Sequence, residues 1–388
     1  MRRAQGVMSR QPVICMLLPG GLEYAGGIGR WAGYLLGAWK TGDASRPDII
    51  IIDTRGHGSK LVGLMAFPLA LLRLAGFLIR GRLALLHVNM SSRGSTVRKG
   101  IVVYAASCFG IPVVLHLHGS NFDGFYRGLA PFTQRLVRGI FARAKSILVL
   151  GEVWRRFLID EIGIEDGRVA ILFNGVPQPR ETRQPSRPGE PCRIVMLGRL
   201  EARKGVPELL AALGSEALQA RSWQATLAGD GDVDGTRRRA AELGLGDRIA
   251  LPGWIGADSA SSLLARADIL VLASHAENMP MSVLEALANS VAVIATPVGT
   301  TPEILQDGVS ALLVPPGDVA ALAEALIRLI DQPAWRGQIA AAGHEVFRRQ
   351  LDIALAAERL NSLYRECAPA LARIGRGQVI DDSGSAEA

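Results

Sequence analysis

The sequence has few of the residues that mark several classes of protein. Aromatic residues make up 5% of its 388 residues, and no stretch alternates them with Arg or Lys as single-strand nucleic-acid binders do. The four cysteines lie far apart and form no CxxC pair, which argues against a disulfide scaffold or a structural zinc site and fits a reducing cytosol. No HExxH motif, GxSxG motif or closely spaced set of metal ligands is present.

Long apolar runs are also scarce. The run Val13–Leu18 is too short for the core of a signal peptide, and no small-residue cleavage site follows it. The stretch Leu61–Ile79 is the one candidate for a membrane span, but Arg73 and Pro68 offset most of what its apolar residues gain. We therefore expect a helix that packs on a sheet or lies on a membrane surface, and a true span is the less favoured alternative.

The composition is otherwise that of an α/β protein, with 49% apolar residues and 44 glycines. The chain is longer than one hydrophobic core usually supports, so two domains are expected. Short β-branched runs alternate with longer helical patterns, which predicts parallel sheets with crossover helices. Twelve strands are predicted, near 13–18, 48–53, 84–89, 112–117, 146–150, 168–172, 193–198, 224–228, 248–251, 268–272, 291–295 and 311–314.

A proline-rich segment separates the two sets of strands. Residues 177–191 contain five prolines and no aliphatic residue, which predicts a linker. The predicted domains are therefore a Rossmann-like acceptor domain over 1–176 and a Rossmann-like nucleotide-sugar domain over 192–345. A C-terminal helix over 346–373 is expected to pack back toward the first domain, followed by a polar tail over 374–388. Ligands of such sheets bind beyond the carboxyl ends of the strands.

Charge is unevenly distributed along the chain. Residues 1–180 carry 23 Lys and Arg against 10 Asp and Glu, whereas residues 181–388 carry 20 against 26. A basic half beside a mildly acidic half indicates an anionic partner. Anionic lipid headgroups or a phosphate-bearing substrate fit this composition better than nucleic acid does.

Each half has a candidate anion site after its first strand. Gly26 and Gly27 lie in a glycine-rich turn whose amides could approach a ligand closely, although it is neither a P-loop nor a GxGxxG motif. In the second half, Gly198 is followed by Arg199 and Lys204, which could converge on one diphosphate. A plain strand-to-helix connection and a solvated basic loop remain the alternatives.

One histidine and two glutamates are further candidates. His118 ends the fourth predicted strand on the same face as His116, and we interpret His116 as a hydrogen-bonded core residue and His118 as functional. Glu277 follows a strand, and Glu285 lies one turn into the next helix, where it could accept hydrogen bonds from a ribose diol. A structural role for Glu285 is the alternative.

An Asp-x-Asp sequence, Asp230-Gly-Asp232, resembles the metal signature of some sugar-nucleotide enzymes. It lies in a glycine-rich loop after a strand, and we favour a loop on the nucleotide side of the site over a metal site.

Together these motifs resemble the retaining glycosyltransferases of family 4, which have the α/β GT-B fold of two doubly wound Rossmann-like domains facing across a cleft. The most specific match is the E-x7-E spacing from Glu277 to Glu285, which follows Gly198-Arg199 and Lys204-Gly205 in the expected order. The sequence Met279-Pro280-Met281 is most similar to enzymes of exopolysaccharide and lipid-linked glycan synthesis.

The resemblance implies a metal-independent enzyme without cofactor, which transfers a sugar from a UDP- or GDP-linked donor to a glycan or polyprenyl-diphosphate-linked acceptor in polysaccharide biosynthesis. Asn278 departs from the family, since many members have Gly there. The implied catalytic residues are His118, Glu277, Arg199 and Lys204. The implied donor-binding residues are Gly26, Gly27, Gly198, Gly229, Asp230, Asn278, Met279, Pro280, Met281, Ser282 and Glu285.

Two alternatives share this fold: a sugar-nucleotide 2-epimerase and a silent sugar-binding paralogue. An epimerase would need more acid and base groups in the first domain, where Glu23 and Asp123 are the main candidates. We expect a cytoplasmic protein that is peripheral on the inner face of the cytoplasmic membrane. Lys60, Arg80 and Arg82 flank the apolar stretch 61–79, as suits a helix at an anionic surface.

Overall fold

A computed structural model describes residues 12–22, 26–41, 46–56, 60–373 and 379–380, with the backbone alone for 60–64, 372–373 and 379–380. Glu23 lies outside the described residues, as does the predicted polar tail apart from 379–380. The chain divides into two compact units. Unit 1 comprises Met1–Val149, Trp154–Leu172 and Ala356–Ala388, and unit 2 comprises Leu150–Val153 and Phe173–Leu355.

Unit 1 is built on a parallel sheet with the strand order β13-β2-β1-β3-β4-β5-β6. Its strands are β1 (Val13–Leu18), β2 (Asp48–Asp53), β3 (Leu83–Met90), β4 (Val113–Leu117), β5 (Ser146–Val149), β6 (Val169–Ile171) and β13 (Val379–Ile380). The strands are apolar on successive residues because helices cover both faces of the sheet. The last strand lies within the predicted polar tail, pairs with β2 and forms one edge of the sheet.

Unit 2 has a parallel sheet with the strand order β12-β11-β10-β7-β8-β9. Its strands are β7 (Cys192–Leu197), β8 (Trp223–Ala228), β9 (Ile249–Gly253), β10 (Ile269–Leu272), β11 (Ala292–Ala295) and β12 (Leu312–Leu313). The order reverses between β7 and β10, which is the point where doubly wound sheets open for a ligand. All twelve predicted strands are confirmed, and their ends differ from the prediction by at most two residues.

Helices connect the strands as crossovers. In chain order the described helices are α1 (Gly27–Thr41), α2 (Lys60–Ile79), α3 (Gly94–Cys108), α4 (Phe122–Arg127), α5 (Pro131–Arg143), α6 (Glu152–Phe157), α7 (Val206–Leu213), α8 (Glu216–Gln219), α9 (Val233–Glu242), α10 (Ala257–Arg266), α11 (Met281–Ala288), α12 (Thr301–Ile304), α13 (Val319–Asp331), α14 (Pro333–Val346) and α15 (Ile353–Cys367). Helices α2, α3 and α5 pack on one face of the unit 1 sheet and share one core cluster.

Helix α2 contains the apolar stretch singled out in the sequence. Ala70 and Leu74 face the core, and Pro68 lies inside the helix on its exposed side. Within the part of the chain that the structure describes, no helix combines the length and the apolar character needed to cross a bilayer.

The proline-rich segment 177–191 has no helix or strand, but it is attached to unit 2 by hydrogen bonds. Gln184 donates its backbone N–H to the Ala265 carbonyl over 2.7 Å, and Ser186 donates to Oδ1 of the buried Asp268 over 3.0 Å. The guanidinium of Arg183 donates to the carbonyls of Ser290 and Ala267. The prolines therefore prevent regular secondary structure here, while hydrogen bonds hold the segment against the rest of unit 2.

The C-terminal helix is anchored in unit 1 by one buried polar contact. The Tyr364 hydroxyl lies 2.6 Å from Nδ1 of His87, and both side chains are fully buried. Trp39 packs against the Tyr364 ring at a centroid distance of 5.9 Å. The hydrogen bond compensates for the desolvation of two polar groups that would otherwise be unpaired.

We expect the substitution Tyr364→Phe to lower the free energy of unfolding by about 1–3 kcal/mol, because it leaves the buried His87 ring without its partner. Urea unfolding monitored by circular dichroism measures this change. The matched control is Tyr104→Phe on α3, which should change stability by less than about 0.5 kcal/mol because that side chain is only half-buried. Equal effects of the two substitutions would contradict an anchoring role for Tyr364.

Candidate functional site

Two glycines bring the loops after β7 and β8 into direct contact in unit 2. A Cβ atom on Gly229 would lie 1.9 Å from the carbonyl oxygen of Gly198, so no other residue fits at this position without moving the backbone. Gly198 itself has a φ of 151°, a conformation that favours glycine. The two predicted donor-binding glycines therefore share one backbone contact at the carboxyl ends of adjacent strands.

Lys204 and Glu277 form an ion pair at the same edge of the sheet. The Lys204 ammonium contacts Oε1 of Glu277, and the two side chains are 15% and 10% exposed. The buried Ser274 donates its hydroxyl to the same carboxylate oxygen over 2.9 Å. Lys204 ends a short helical turn after β7, and Glu277 lies in the loop after β10, so neighbouring central strands supply the two partners.

Arg199 occupies a different environment from Lys204. Its side chain is 59% exposed, with Nε 3.4 Å from Glu201 and Nη1 4.0 Å from Asp230. The two cations that the sequence places five residues apart are thus paired with different carboxylates. Arg199 and the predicted donor-binding residue Asp230 are brought together, although their contact is loose and solvated.

The loop from Glu277 to the start of α11 is buried and tightly packed. Thr300 donates both its backbone N–H and its hydroxyl to the carbonyl of Asn278, each over 2.9 Å. A Cβ atom on Gly299 would lie 2.3 Å from the carbonyl oxygen of Glu277. The side chain of Asn278 is only 5% exposed, yet neither of its amide atoms has a hydrogen-bond partner among the described residues.

The other predicted donor-binding residues of this loop are also buried. Met279 accepts a hydrogen bond at its sulfur from the backbone N–H of Asn174 over 3.1 Å. Pro280 is the residue before α11, and Glu285, in the second turn of that helix, is 7% exposed. The remaining two residues, Met281 and Ser282, form the first turn and are buried.

The two aspartates of the Asp-x-Asp sequence have separate roles. Asp232 accepts a hydrogen bond from the backbone N–H of Gly235 over 2.9 Å and caps helix α9. Asp230 faces Arg199 instead. Among the residues that the structure describes, no group of three His, Cys, Asp or Glu side chains is arranged to hold a metal ion.

His118 lies in unit 1, just beyond the carboxyl end of β4. Its Nε2 is 2.9 Å from Oδ1 of Asn89, and its ring lies 4.0 Å from the His116 ring and 5.4 Å from Trp31. The placement of His116 and His118 on one face is confirmed. Burial of the His118 ring, reinforced by the charges of His87 and Lys99, holds its pKa well below the ordinary value.

His116 is a core residue as expected, but the prediction that it is hydrogen-bonded is wrong. Neither ring nitrogen has a partner among the described residues, and the ring instead makes an edge contact with Trp31 at 4.9 Å. Burial holds its pKa well below the ordinary value, so the ring is neutral and the aromatic contact is compatible with it. Burial likewise lowers the pKa of His87 to about 3 and that of Lys99 to about 7.

Gly26 and Gly27 lie at the start of α1 in unit 1. The Gly26 carbonyl accepts the first hydrogen bond of the helix, from Arg30 over 3.0 Å, and Gly27 is exposed. Helix α1 is the first helix after β1 and begins at Gly27, within the glycine-rich turn.

Sequence reasoning missed three residues that hold the site residues in place: Ser274, Thr300 and Asn89. Ser274 and Asn89 are polar residues at or just beyond the carboxyl end of an apolar strand, and this position is the signal that could have identified them. Thr300 lies further along the chain, directly before α12. Their partners are 3, 22 and 29 residues away in the chain. The sequence alone does not indicate which partner each one takes.

Comparison with known proteins identifies the family. Residues 52–175 match the model of a glycosyl transferase 4-like domain, and residues 191–332 match glycosyl transferases group 1. The chain belongs to glycosyltransferase family 4. It is an enzyme of glycan biosynthesis with the GT-B fold, and the first domain model covers β3 to β6 while the second covers the Lys204–Glu277 pair.

Individual relatives are distant. The chain is 24% identical to the alpha-D-kanosaminyltransferase of Streptomyces kanamyceticus over 66% of this chain and 71% of that one. It is 25% identical to the phosphatidyl-myo-inositol mannosyltransferase of Mycobacterium leprae over 84% of this chain and 86% of that one. Several other curated relatives are matched over 21% to 53% of their own length.

Solved structures confirm the fold. Sucrose-phosphate synthase from Thermosynechococcus elongatus superimposes with a TM-score of 0.75 at 20% identity, covering 93% of this chain and all of that one. Anabaena HepE in complex with UDP-glucose superimposes with a TM-score of 0.71 at 17% identity, covering 91% of this chain and 99% of that one.

The Lys204–Glu277 pair leads to a stability prediction. We expect Lys204→Met to lower the free energy of unfolding by about 2–3 kcal/mol, since it leaves a mostly buried carboxylate without its cation, and the double variant Lys204→Met/Glu277→Gln to recover part of the loss. Arg199→Ala is the control and should cost less than about 1 kcal/mol, because its ion pairs are exposed. Urea unfolding measures both free energies of unfolding. Equal losses of this free energy for Lys204→Met and Arg199→Ala would show that burial does not strengthen the Lys204–Glu277 pair.

Proposed function

We propose that the protein is a retaining, metal-independent glycosyltransferase that moves a sugar from a UDP- or GDP-linked donor to a glycan or lipid-linked acceptor. The observation that carries this proposal is the mostly buried Lys204–Glu277 pair at the reversal point of the unit 2 sheet. A buried cation at this edge is suited to a leaving diphosphate, because a charge of low exposure acts on its ligand with little screening.

The donor would bind at the carboxyl ends of β7, β8 and β10. The close contact of Gly198 and Gly229 holds the loops after β7 and β8 together at this edge of the sheet. The buried Glu285 is suited to accept hydrogen bonds from a ribose. The structurally similar HepE has been crystallised with UDP-glucose, which supports a nucleotide-sugar donor here.

The cations would act on the leaving group. As the bond between the anomeric carbon and the diphosphate oxygen breaks, Lys204 and Arg199 would neutralise the charge that develops on the diphosphate. When the donor binds, the Lys204 ammonium would contact both the diphosphate and Glu277. Ser274 would keep Glu277 in place during this exchange, because it donates to the same oxygen as Lys204.

The acceptor would attack from the face that the diphosphate leaves. Its hydroxyl oxygen forms the new bond to the anomeric carbon, and its proton passes to the departing phosphate oxygen, so the configuration is retained. A double displacement through a carboxylate is the competing route. Glu277 would lie against the donor sugar hydroxyls.

A donor screen tests the reaction. The protein is incubated with UDP- and GDP-sugars and a membrane extract, with and without EDTA, and product configuration is read by NMR. We expect transfer that survives EDTA and retains the anomeric configuration, and Lys204→Ala should reduce turnover by about 10²-fold or more. The control Arg237→Ala, an exposed cation on α9, should leave turnover unchanged.

Three outcomes would contradict the proposal. Loss of turnover with EDTA that manganese restores would exclude metal independence. Inversion at the anomeric carbon would exclude retention. Appearance of the 2-epimer of the donor without transfer would identify an epimerase, for which Asp123 is poorly placed because it already pairs with Arg127.

We further propose that unit 1 rests on an anionic membrane surface, where a lipid-linked acceptor would be found. Nine of the twelve large apolar side chains exposed in the described residues lie on or directly after three helices of one face. They are Met65, Leu69, Leu72 and Ile79 of α2, Val97, Ile101 and Phe109 of α3 and its end, and Phe132 and Leu136 of α5.

The exposed apolar side chains of α2 recur at helical spacing and form a stripe along one side of the helix. Exposed Arg80 and Arg135 belong to the same helical layer, and residues 1–180 carry an excess of positive charge. Apolar side chains beside cations fit a lipid interface, where each Lys or Arg near an anionic surface contributes about 1 kcal/mol. An uncharged partner surface would not explain the basic excess.

Sedimentation with vesicles tests the membrane proposal. The protein should pellet with vesicles containing anionic phosphatidylglycerol at low salt, and high salt should weaken the binding. Leu72→Glu should release the protein, because it places a charge in the stripe. The control Trp254→Glu changes an equally exposed apolar side chain in unit 2 and should have no effect. Failure of the wild type to pellet at low salt would overturn the proposal.

A further inference from the structure

The orientation of the Asn89 amide is determined by its neighbours. Asn89 is fully buried in β3, and its Nδ2 donates to the main-chain carbonyl of Leu17 over 3.2 Å. A carbonyl oxygen can only accept, so the amide nitrogen must face Leu17 and the amide oxygen must face away from it. Oδ1 is therefore the atom that lies 2.9 Å from Nε2 of His118.

This orientation determines the tautomer of His118. The amide oxygen Oδ1 also can only accept, so Nε2 of His118 must carry the hydrogen of that hydrogen bond. The environment keeps the ring neutral, because desolvation and the nearby Lys99 ammonium both disfavour a second proton on it. A neutral ring holds one proton, which leaves Nδ1 as an acceptor.

Nδ1 of His118 is available to a ligand. It has no hydrogen-bond partner among the described residues, and it is not completely buried, so a ligand can reach it. The ring nitrogens of His116, in contrast, are enclosed without a partner. His118 lies at the carboxyl end of β4, so its free acceptor is at the edge of the sheet where ligands bind.

We propose that Asn89 is a positioning residue that holds His118 as the Nε2–H tautomer, so that Nδ1 accepts a hydrogen bond from a hydroxyl of the bound sugar substrate. The assignment of the hydroxyl to a sugar rests on the proposed function, whereas the tautomer does not. Lys99 supports the arrangement because its ammonium donates to the main-chain carbonyl of Asn89. The result is a site that recognises a hydroxyl as a donor and rejects a group that can only accept.

The tautomer can be measured without substrate. The six histidines are labelled with ¹⁵N, and the His118 signals are identified by their loss in His118→Gln. The proposal expects a protonated-type shift for Nε2 and an unprotonated-type shift for Nδ1, with one tautomer populated. In Asn89→Ala the two tautomers should mix. A proton on Nδ1 in the wild type would overturn the proposal, and so would a charged ring; this wild-type spectrum decides the matter even where Asn89→Ala fails to fold.

The role of Nδ1 is tested by two matched substitutions. An Asn at position 118 places its amide near the position of Nδ1, whereas a Gln reaches the position of Nε2. We expect His118→Asn to retain at least about 10-fold more kcat/KM than His118→Gln, which corresponds to about 1.4 kcal/mol. Equal losses, or a better Gln variant, would overturn the role of Nδ1.

A series of monodeoxy sugar substrates, varied first in the donor and then in the acceptor, completes the test. Removal of one particular sugar hydroxyl should lower kcat/KM in the wild type and have no further effect in His118→Ala, because the acceptor is already lost. If no hydroxyl behaves in this way, the proposed contact with Nδ1 is wrong. If the wild type transfers no sugar from any donor, the proposed function fails, and the NMR result still decides the tautomer.

Discussion

Burial of both faces of each parallel sheet is the constraint on which the rest of this structure depends. Helices cover the strands from both sides, so a polar side chain within a strand must find a partner inside the protein or remain unpaired. The ends of the strands are free of this restriction. Charged and polar groups therefore concentrate there, and in unit 2 the ends of β7, β8 and β10 carry the glycines, Lys204 and Glu277.

The few polar groups that remain buried are the informative ones. Desolvation lowers the pKa of both Lys99 and His118, and Asn89 links the two side chains by hydrogen bonds. Asn278 is buried at the edge of the proposed donor site, and its amide has no hydrogen-bond partner among the described residues. A buried polar group without a partner lowers the free energy of unfolding, and a substrate that supplies the missing partner would remove this penalty.

The two cations of the second unit illustrate how burial separates residues of similar charge. Lys204 is largely enclosed with one carboxylate, whereas Arg199 is solvated between two carboxylates. The interaction of Lys204 with its carboxylate is strong because burial reduces the screening by water. The interactions of Arg199 are weak because water screens them. Arg199 and Lys204 therefore belong to one sequence motif but form ion pairs of different strength.

Strand positions, the α/β class and the family motif could be predicted from the sequence, because apolar periodicity and the spacing of Glu277 and Glu285 are local properties. The hydrogen bonds of Asn89, Ser274 and Thr300 could not, since each depends on which strands are neighbours in the sheet. His116 shows the same limit: the pattern indicated a core residue, but only the packed structure shows a ring that contacts Trp31 and has no hydrogen-bond partner among the described residues. The sequence by itself thus determined which residues lie at the strand ends, and the tertiary structure alone decided which of them pair, because pairing depends on distances between segments far apart in the chain.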